Sequence, residues 1–251
     1  MKVYISVDME GVAGVSHSKP TGRDDMGYGQ AVELMVGEAN AAIEGAFDSG
    51  ATDVTVNDSH GGMYNLTPEQ LDPRARLVQG SKPYGMAEGV REGSFDIALF
   101  VGYHARAGHP RGNLAHTYTG RITLVQVGGR PATEAAINGL YLGALRVPVG
   151  MISGDDALAE ELAEWFPWAE LVVVKRAVSF RAAESLHPAA ARALIREAAR
   201  RVVERATNGG DLRPLELQPP IDLRITFANA GQADGVAMIP GFEREGDTSV
   251  R

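Results

Sequence analysis

The pattern of hydrophobic and polar positions along the first hundred residues switches between two periods. One period is typical of strands and the other of helices. In residues 30–48, apolar side chains recur at three- and four-residue steps, which predicts a helix that ends before Gly50. Short β-rich runs around this helix predict strands at residues 2–7, 53–56, 76–78 and 96–101. The last of these runs is almost continuously apolar, as expected of a central strand covered on both faces.

The second half of the chain continues the alternation. It predicts strands at residues 122–127, 147–152, 171–174 and 221–227, and helices at residues 133–145, 155–165 and 188–206. Strands that alternate with helices predict an α/β fold, with a largely parallel sheet flanked by helices. We expect one α/β catalytic unit over residues 1–251, with a smaller C-terminal subdomain from about residue 175 as the alternative.

Composition and charge exclude several classes of site and partner. The chain has no cysteine, which excludes disulfides and thiolate metal sites and leaves imidazole and carboxylate as metal ligands. Its formal net charge of −8 argues against a nucleic-acid partner. No apolar run approaches the roughly 20 residues that span a bilayer, so no membrane segment is expected. The acidic start, MKVYISVDMEG, lacks the apolar stretch of a signal peptide, and we therefore expect a cytoplasmic protein.

Metal-binding residue types follow three of the predicted strands and open one helix. Asp8 and Glu10 follow the first strand, two residues apart and hence on one face. His60 follows the second strand, His104 follows the fourth, and Glu134 lies at the start of a helix. The carboxyl ends of parallel strands converge on one crevice, so these residues predict a site for two metal ions. A carboxylate that bridges both ions fits this set of three carboxylates and two imidazoles.

Several motifs resemble one known family. They are SVDMEG at 6–11, VNDSHGG at 56–62, GYHA at 102–105, LAHTY at 114–118, PVGMISGDD at 148–156 and MIPGFEREGDTSV at 238–250. They are similar, in order and over nearly the whole chain, to the D-aminopeptidase family, whose signature is S-x-D-x-E-G. These are zinc peptidases linked to bacterial dipeptide-transport operons.

The resemblance implies a role for each site residue. Asp8 is similar to the carboxylate that bridges two zinc ions. Glu10 and His60 resemble the other ligands of one ion, and His104 and Glu134 those of the second. His116 resembles a catalytic residue that faces the metals without binding them. For each subunit, the resemblance therefore implies two Zn²⁺ ions.

The resemblance also implies an activity and an assembly. The family releases N-terminal D-amino acids, notably D-alanine, from short peptides and amides, so a small peptide is the expected substrate. Its α/β subunits form a homodecameric ring with the active sites facing an internal channel. The chain ends at Arg251, somewhat earlier than expected for the family.

Other titratable residues have structural interpretations. We expect Asp58 to support His60 rather than bind metal. His17 lies in the loop SHSKPTGRDD, which either covers the site or is a plain surface loop. Arg106 is expected to form a structural salt bridge or to pair with a substrate carboxylate, and Asp155 is expected to cap a helix.

Two other functions remain open from the sequence. One is a dinuclear metal phosphoesterase, because carboxylate and imidazole metal pairs also bind phosphoryl oxygens. The other is a metal-stabilised binding protein without turnover.

Overall fold

The computed structural model describes residues 1–251 and contains two sheets. The larger sheet has seven strands: β1 (Lys2–Val7), β2 (Asp53–Asp58), β3 (Ala75–Val78), β4 (Ile97–Tyr103), β7 (Val149–Asp155), β8 (Glu170–Ser179) and β9 (Ala182–Ser185). Their order is β3-β2-β1-β4-β7-β8-β9, and every pair is parallel except the β8-β9 hairpin. The predicted α/β fold with a largely parallel sheet is confirmed.

The smaller sheet is antiparallel. Its strands are β5 (Ile122–Val127), β6 (Arg130–Pro131), β10 (Leu223–Phe227), β11 (Arg244–Glu245) and β12 (Ser249–Val250). Their order is β11-β12-β10-β5-β6. It therefore joins the middle of the chain to the C-terminal end. The subdomain division at about residue 175 stays a prediction; strands β8 and β9 belong to the larger sheet.

Six α-helices connect and cover the strands. They are α1 (Tyr28–Asp48), α2 (Val90–Gly93), α3 (Glu134–Ala144), α4 (Asp156–Leu162), α5 (Pro188–Thr207) and α6 (Ala230–Ala237). Single 3-10 turns lie at Lys19–Thr21, Pro68–Gln70 and Gly85–Ala87. None of the helices is both long and apolar enough to cross a bilayer.

Side chains alternate between the two faces of the larger sheet. In β1, Val3, Ile5 and Val7 belong to a core of 33 buried residues that also contains the inner sides of α1 and α5. Tyr4 points to the opposite face, into a core of 22 buried residues shared with α3, α4 and β5. Burial on both faces explains why the central strands are almost continuously apolar.

Strands β1 and β4 are neighbours, although β2 and β3 lie between them in the chain. Val7 at the end of β1 pairs with Asp58 on one side and with Val101 on the other. After β1, the chain forms β2 and β3 on one side of β1. It then returns and forms β4 on the other side. Such a reversal of strand order opens a crevice at the carboxyl ends of the strands.

The sequence placed most elements within a few residues, with one informative difference. The predicted strand at 147–152 and helix at 155–165 are observed as β7 and α4, so that the strand extends to Asp155. Asp155 adopts an extended backbone, and its side chain accepts a hydrogen bond from the Leu158 amide, so it caps the helix as expected. The hairpin partner β9, helix α6 and the short strands β6, β11 and β12 were not predicted.

Candidate metal centre

The carboxylate of Asp8 lies between two imidazoles. Its Oδ1 is 3.3 Å from His60 Nδ1, and its Oδ2 is 3.4 Å from His104 Nε2. All three side chains are buried at the ends of the neighbouring strands β1, β2 and β4. His60 and His104 follow Asp8 by 52 and 96 positions in the chain, yet both lie close enough to Asp8 to share a cation with it.

His60 and Glu10 form one side of the centre. Glu10 Oε2 is 2.9 Å from His60 Nδ1. On the other edge of the ring, His60 Nε2–H donates to the Thr21 carbonyl at 2.8 Å. Because a carbonyl only accepts, this bond keeps a proton on Nε2 and turns Nδ1, the nitrogen that could bind a cation, toward the carboxylates. The loop that contains His17 and Thr21 thus orients a site residue.

His104 and Glu134 form the other side. His104 Nδ1–H donates to the Ala105 carbonyl at 3.0 Å, so Nε2 points inward. That nitrogen lies 3.4 Å from Glu134 Oε1. Glu134 is the first residue of α3, whose N-cap Thr133 accepts from the Ala136 amide. The Tyr118 amide donates to Glu134 Oε1 at 2.7 Å and fixes the carboxylate.

Two glycines let the ends of β1 and β4 come together. Gly102 has φ +73, and a Cβ there would lie 2.2 Å from the Asp8 carbonyl oxygen. A Cβ at Gly11 would lie 1.8 Å from the Tyr103 carbonyl oxygen. The Gly11 amide donates to the Gly102 carbonyl at 2.7 Å across this contact. These glycines permit backbone to approach backbone, which brings Asp8 close to His104.

The unsatisfied atoms of the centre fit a metal ion. Asp8 Oδ2 and His104 Nε2 are buried and have no hydrogen-bond partner. An unpaired buried carboxylate oxygen and imidazole lone pair are costly unless a cation lies between them. Donor atoms of Asp8, Glu10 and His104 lie within 4.8 Å of one another. Imidazole nitrogen with carboxylate oxygen is a donor set that suits zinc.

The pKa shifts of the site residues also indicate a site for a cation. Burial raises the pKa of Asp8, and the neighbouring Glu10 carboxylate raises it further. Burial would also raise the pKa of Glu10, but the charge and the hydrogen bond of His60, together with the charge of His104, lower that pKa. For His60 and His104, burial would lower the pKa, but Glu10 and Glu134 respectively raise it well above the ordinary value. The carboxylates thus attract positive charge to this position.

His116 lies at the edge of the same cluster. Its Nδ1–H donates to the Leu114 carbonyl at 2.9 Å, and its Nε2 is 3.7 Å from Glu134 Oε1. Its donor nitrogen also falls within 4.8 Å of those of His104 and Glu134. His116 is therefore within range both of a catalytic role and of ligation.

A cavity of about 110 Å³ opens over the centre. The acidic and imidazole side chains of the site line it together with the apolar side chains of Met63 and Met86. The lining residues are Asp8, Glu10, Ser59, His60, Gly61, Met63, Met86, His116, Tyr118 and Glu134.

Two other titratable residues have structural roles. Asp58 accepts from the amides of Asn65 and Leu66, with Leu66 N at 2.7 Å, and so shapes the loop after His60 without binding in the centre. Arg106 pairs with Glu161 through Nε at 2.8 Å, so the expected structural salt bridge is present.

Sequence reasoning missed one buried cation behind the centre. Lys175 on β8 is 2% exposed, and its ammonium contacts the backbone of Glu10. The only signal is a lysine within the apolar run LVVVK of a strand that the structure places in the sheet interior.

Comparisons with known proteins agree on one family. A family model described as D-aminopeptidase, peptidase M55, matches residues 1–251. A D-aminopeptidase from Bacillus subtilis (strain 168) is 38% identical over 253 residues, covering 100% of this chain and 90% of the relative. The solved structure of the Zn-dependent D-aminopeptidase DppA from Bacillus subtilis, a self-compartmentalizing protease, has a TM-score of 0.93 at 38% identity. That match covers 100% of this chain and 90% of the other. Motifs, fold and full-length matches therefore agree, and the chain belongs to the D-aminopeptidase family, peptidase M55.

Proposed function

We propose that this chain is a zinc-dependent aminopeptidase that hydrolyses the N-terminal amide bond of short peptides, with D-alanine as the expected first residue. The observation that carries the proposal is the Asp8 carboxylate, which lies between His60 and His104 with an imidazole nitrogen facing each of its oxygens. The D-preference is supported by the D-aminopeptidase family model and by the name of the Bacillus subtilis relative.

The five proposed ligand residues form two groups, one for each ion, with one residue shared. Glu10 and His60 would hold one, His104 and Glu134 the other, and Asp8 would bridge them. The chemistry that a zinc pair supplies when bound is Lewis acidity, which polarises a peptide carbonyl and lowers the pKa of water. The bonds from His60 to Thr21 and from His104 to Ala105 fix both rings before any ion arrives.

His116 is the residue best placed to move a proton. Its Nδ1 is committed to the Leu114 carbonyl, so Nε2 is the atom that takes up or gives the proton near the substrate. In the protonated state, the same atom would donate to an oxygen that gains negative charge.

The cavity favours a small peptide over a phosphate ester. Its volume of about 110 Å³ is well below the roughly 300–1,000 Å³ of sites for drug-sized ligands, so a single small residue fits. Met63 and Met86 would contact the short side chain and exclude water. No lysine or arginine lines the cavity, whereas phosphate sites commonly add such cations.

The homodecamer and the cytoplasmic location stay predictions. A self-compartmentalizing relative supports a closed assembly. Exposed apolar side chains, among them Phe180 and Val178 near the β8-β9 turn and Met238 after α6, would be buried by contacts between copies. Light scattering coupled to size-exclusion chromatography would measure the subunit number.

The proposed activity can be tested with three substrates on one preparation. Zinc-loaded protein is incubated with D-alanine para-nitroanilide, L-alanine para-nitroanilide and para-nitrophenyl phosphate. We expect turnover of the D-amide, a slower or absent rate with the L-amide, and none with the phosphate ester. Chelation should abolish the rate, and added zinc should restore it.

Each alternative function has its own outcome. Hydrolysis of the phosphate ester without amide hydrolysis would identify a phosphoesterase. Stoichiometric zinc without turnover of any amide or dipeptide would identify a metal-stabilised binding protein.

A further inference from the structure

The buried Lys175 uses all of its hydrogen-bonding capacity behind the metal centre. Its ammonium donates to the carbonyl of Glu10, to the carbonyl of Val15 at 2.5 Å and to Asn113 Oδ1 at 2.9 Å. Three donors thus meet three acceptors. Burying an ammonium is costly unless such bonds replace its water, and a packed apolar residue would avoid the cost. Packing alone therefore does not explain a lysine at this position.

Asn113 links Lys175 to the segment that carries His116. Its Nδ2 donates to the Ser16 carbonyl at 3.1 Å and to the Phe180 carbonyl at 3.2 Å. The next residue, Leu114, has φ +53, and its amide donates to the same Phe180 carbonyl at 2.8 Å. The Leu114 carbonyl in turn accepts from His116 Nδ1. The strained backbone that orients His116 is thus held next to Asn113.

Lys175 therefore connects two segments that are distant in the chain. One is the segment after β1, residues 8–16, which carries the ligands Asp8 and Glu10. The other is residues 113–116, which ends in His116. We propose that Lys175 is a positioning residue, whose hydrogen bonds to Glu10 and Asn113 hold these two segments in register across the metal centre. This inference rests on the proposed function, since it assumes that the centre binds zinc.

The main test replaces the ammonium but keeps the length of the side chain. In Lys175→Met, the carbonyls of Glu10 and Val15 and the Asn113 oxygen lose their donor. We expect zinc retention against a competing chelator to weaken and kcat to fall, each by about 10–100-fold, with KM less affected. The matched control is Ile195→Ala in α5, a cavity in the core away from the centre. It should lower the melting temperature and leave zinc retention and kcat unchanged.

A second variant keeps the proposal testable if Lys175→Met does not fold. Asn113→Asp preserves the size of the side chain and its bond to Lys175, but removes the amide donors to Ser16 and Phe180. We expect a kcat about 10-fold lower with zinc retention close to wild type, because Lys175 still bonds to Glu10, whereas the bond to Phe180 that holds residues 113–116 is lost. In a double-mutant cycle, the two changes should be non-additive in kcat.

The outcomes separate this inference from the proposed function. A folded Lys175→Met protein with wild-type zinc retention and kcat would overturn it, and so would an unaltered kcat in Asn113→Asp. If the wild type shows no peptidase activity, the proposed function fails. Zinc retention by Lys175→Met still tests the positioning role in that case, because it is measured without substrate.

Discussion

The imidazole rings of His104 and His116 lie stacked, with 4.2 Å between their centroids and 8° between their planes. Each ring donates from Nδ1 to a nearby backbone carbonyl, so both Nε2 atoms lie on the side of Glu134. The two side chains differ in exposure, at 1% for His104 and 28% for His116. In the proposed function, the buried ring of His104 would be a ligand, and the accessible ring of His116 would meet the substrate.

Substitution of His116 tests this division of roles. In His116→Ala, we expect kcat to fall by about 10²–10⁴-fold, because the proton-transferring group is lost while the ligands remain. Zinc content per chain, measured by atomic emission, should equal that of the wild type. If the variant instead loses one equivalent of zinc, His116 is a third ligand together with His104 and Glu134.

Zinc counting on conservative amide variants tests the bridging role of Asp8. Glu10→Gln and Glu134→Gln each weaken one ion position, so each variant should retain about one equivalent of zinc after dialysis against a weak chelator. Asp8→Asn weakens both positions and should retain less than either. Arg106→Lys, which alters a salt bridge outside the centre, serves as the control with full zinc content. Equal losses in Glu10→Gln and Asp8→Asn would contradict a bridging carboxylate.

The convergence of the candidate ligand residues could be predicted because their signals are local and the topology is regular. Asp8, His60 and His104 each follow a run that periodicity identifies as a strand. The parallel arrangement of those strands then brings the residues together. Family membership and fold, predicted from the motifs, are confirmed by the full-length matches.

The features that were missed depend on distant contacts. The smaller sheet pairs β5 with β10, about 100 residues later, and such pairing leaves no local period. Strands β11 and β12 have two residues each, too few to show alternation. Lys175 has meaning only beside Glu10 and Asn113, which follow from the tertiary structure alone.

A buried carboxyl on α1 predicts a specific dependence of stability on pH. Burial raises the pKa of Glu38 from 4.5 to about 7, and the bond from the Ala13 amide and the charges of Lys175 and Arg192 only partly oppose this. The folded state thus keeps a proton that the unfolded chain loses between these pH values. Stability contributed by this group is present below pH 4.5 and lost as the pH rises to about 7.

Glu38→Gln should remove this loss of stability, while its side-chain oxygen still accepts the hydrogen bond from the Ala13 amide. We expect the variant to gain stability relative to the wild type between pH 5 and pH 8, by up to about 3 kcal/mol. Urea unfolding of both zinc-loaded proteins at several pH values measures the difference. A gain that is constant across this range would show that Glu38 does not titrate there.

The approach of β1 to β4 at Gly102 predicts that one methyl group disrupts both fold and centre. In Gly102→Ala, the added Cβ would lie 2.2 Å from the Asp8 carbonyl oxygen and 2.8 Å from Val12 Cγ2, on a backbone with φ +73. We expect a cost of about 1–2 kcal/mol for the left-handed backbone and about 1–3 kcal/mol for overpacking. Because relief of the clash must separate the two strand ends, Asp8 should move away from His104 and zinc retention should fall as well.

The matched control for this variant is Gly235→Ala in α6, where an added Cβ meets nothing within 4 Å. Alanine is the better helix former, so this change should leave stability equal or higher by up to about 1 kcal/mol, with full zinc content. Urea unfolding and zinc analysis of both variants give the comparison. If Gly102→Ala unfolds at the wild-type midpoint and binds zinc normally, the strand ends can reach the ligand geometry without this close contact. The convergence of Asp8 and His104 would then need another explanation.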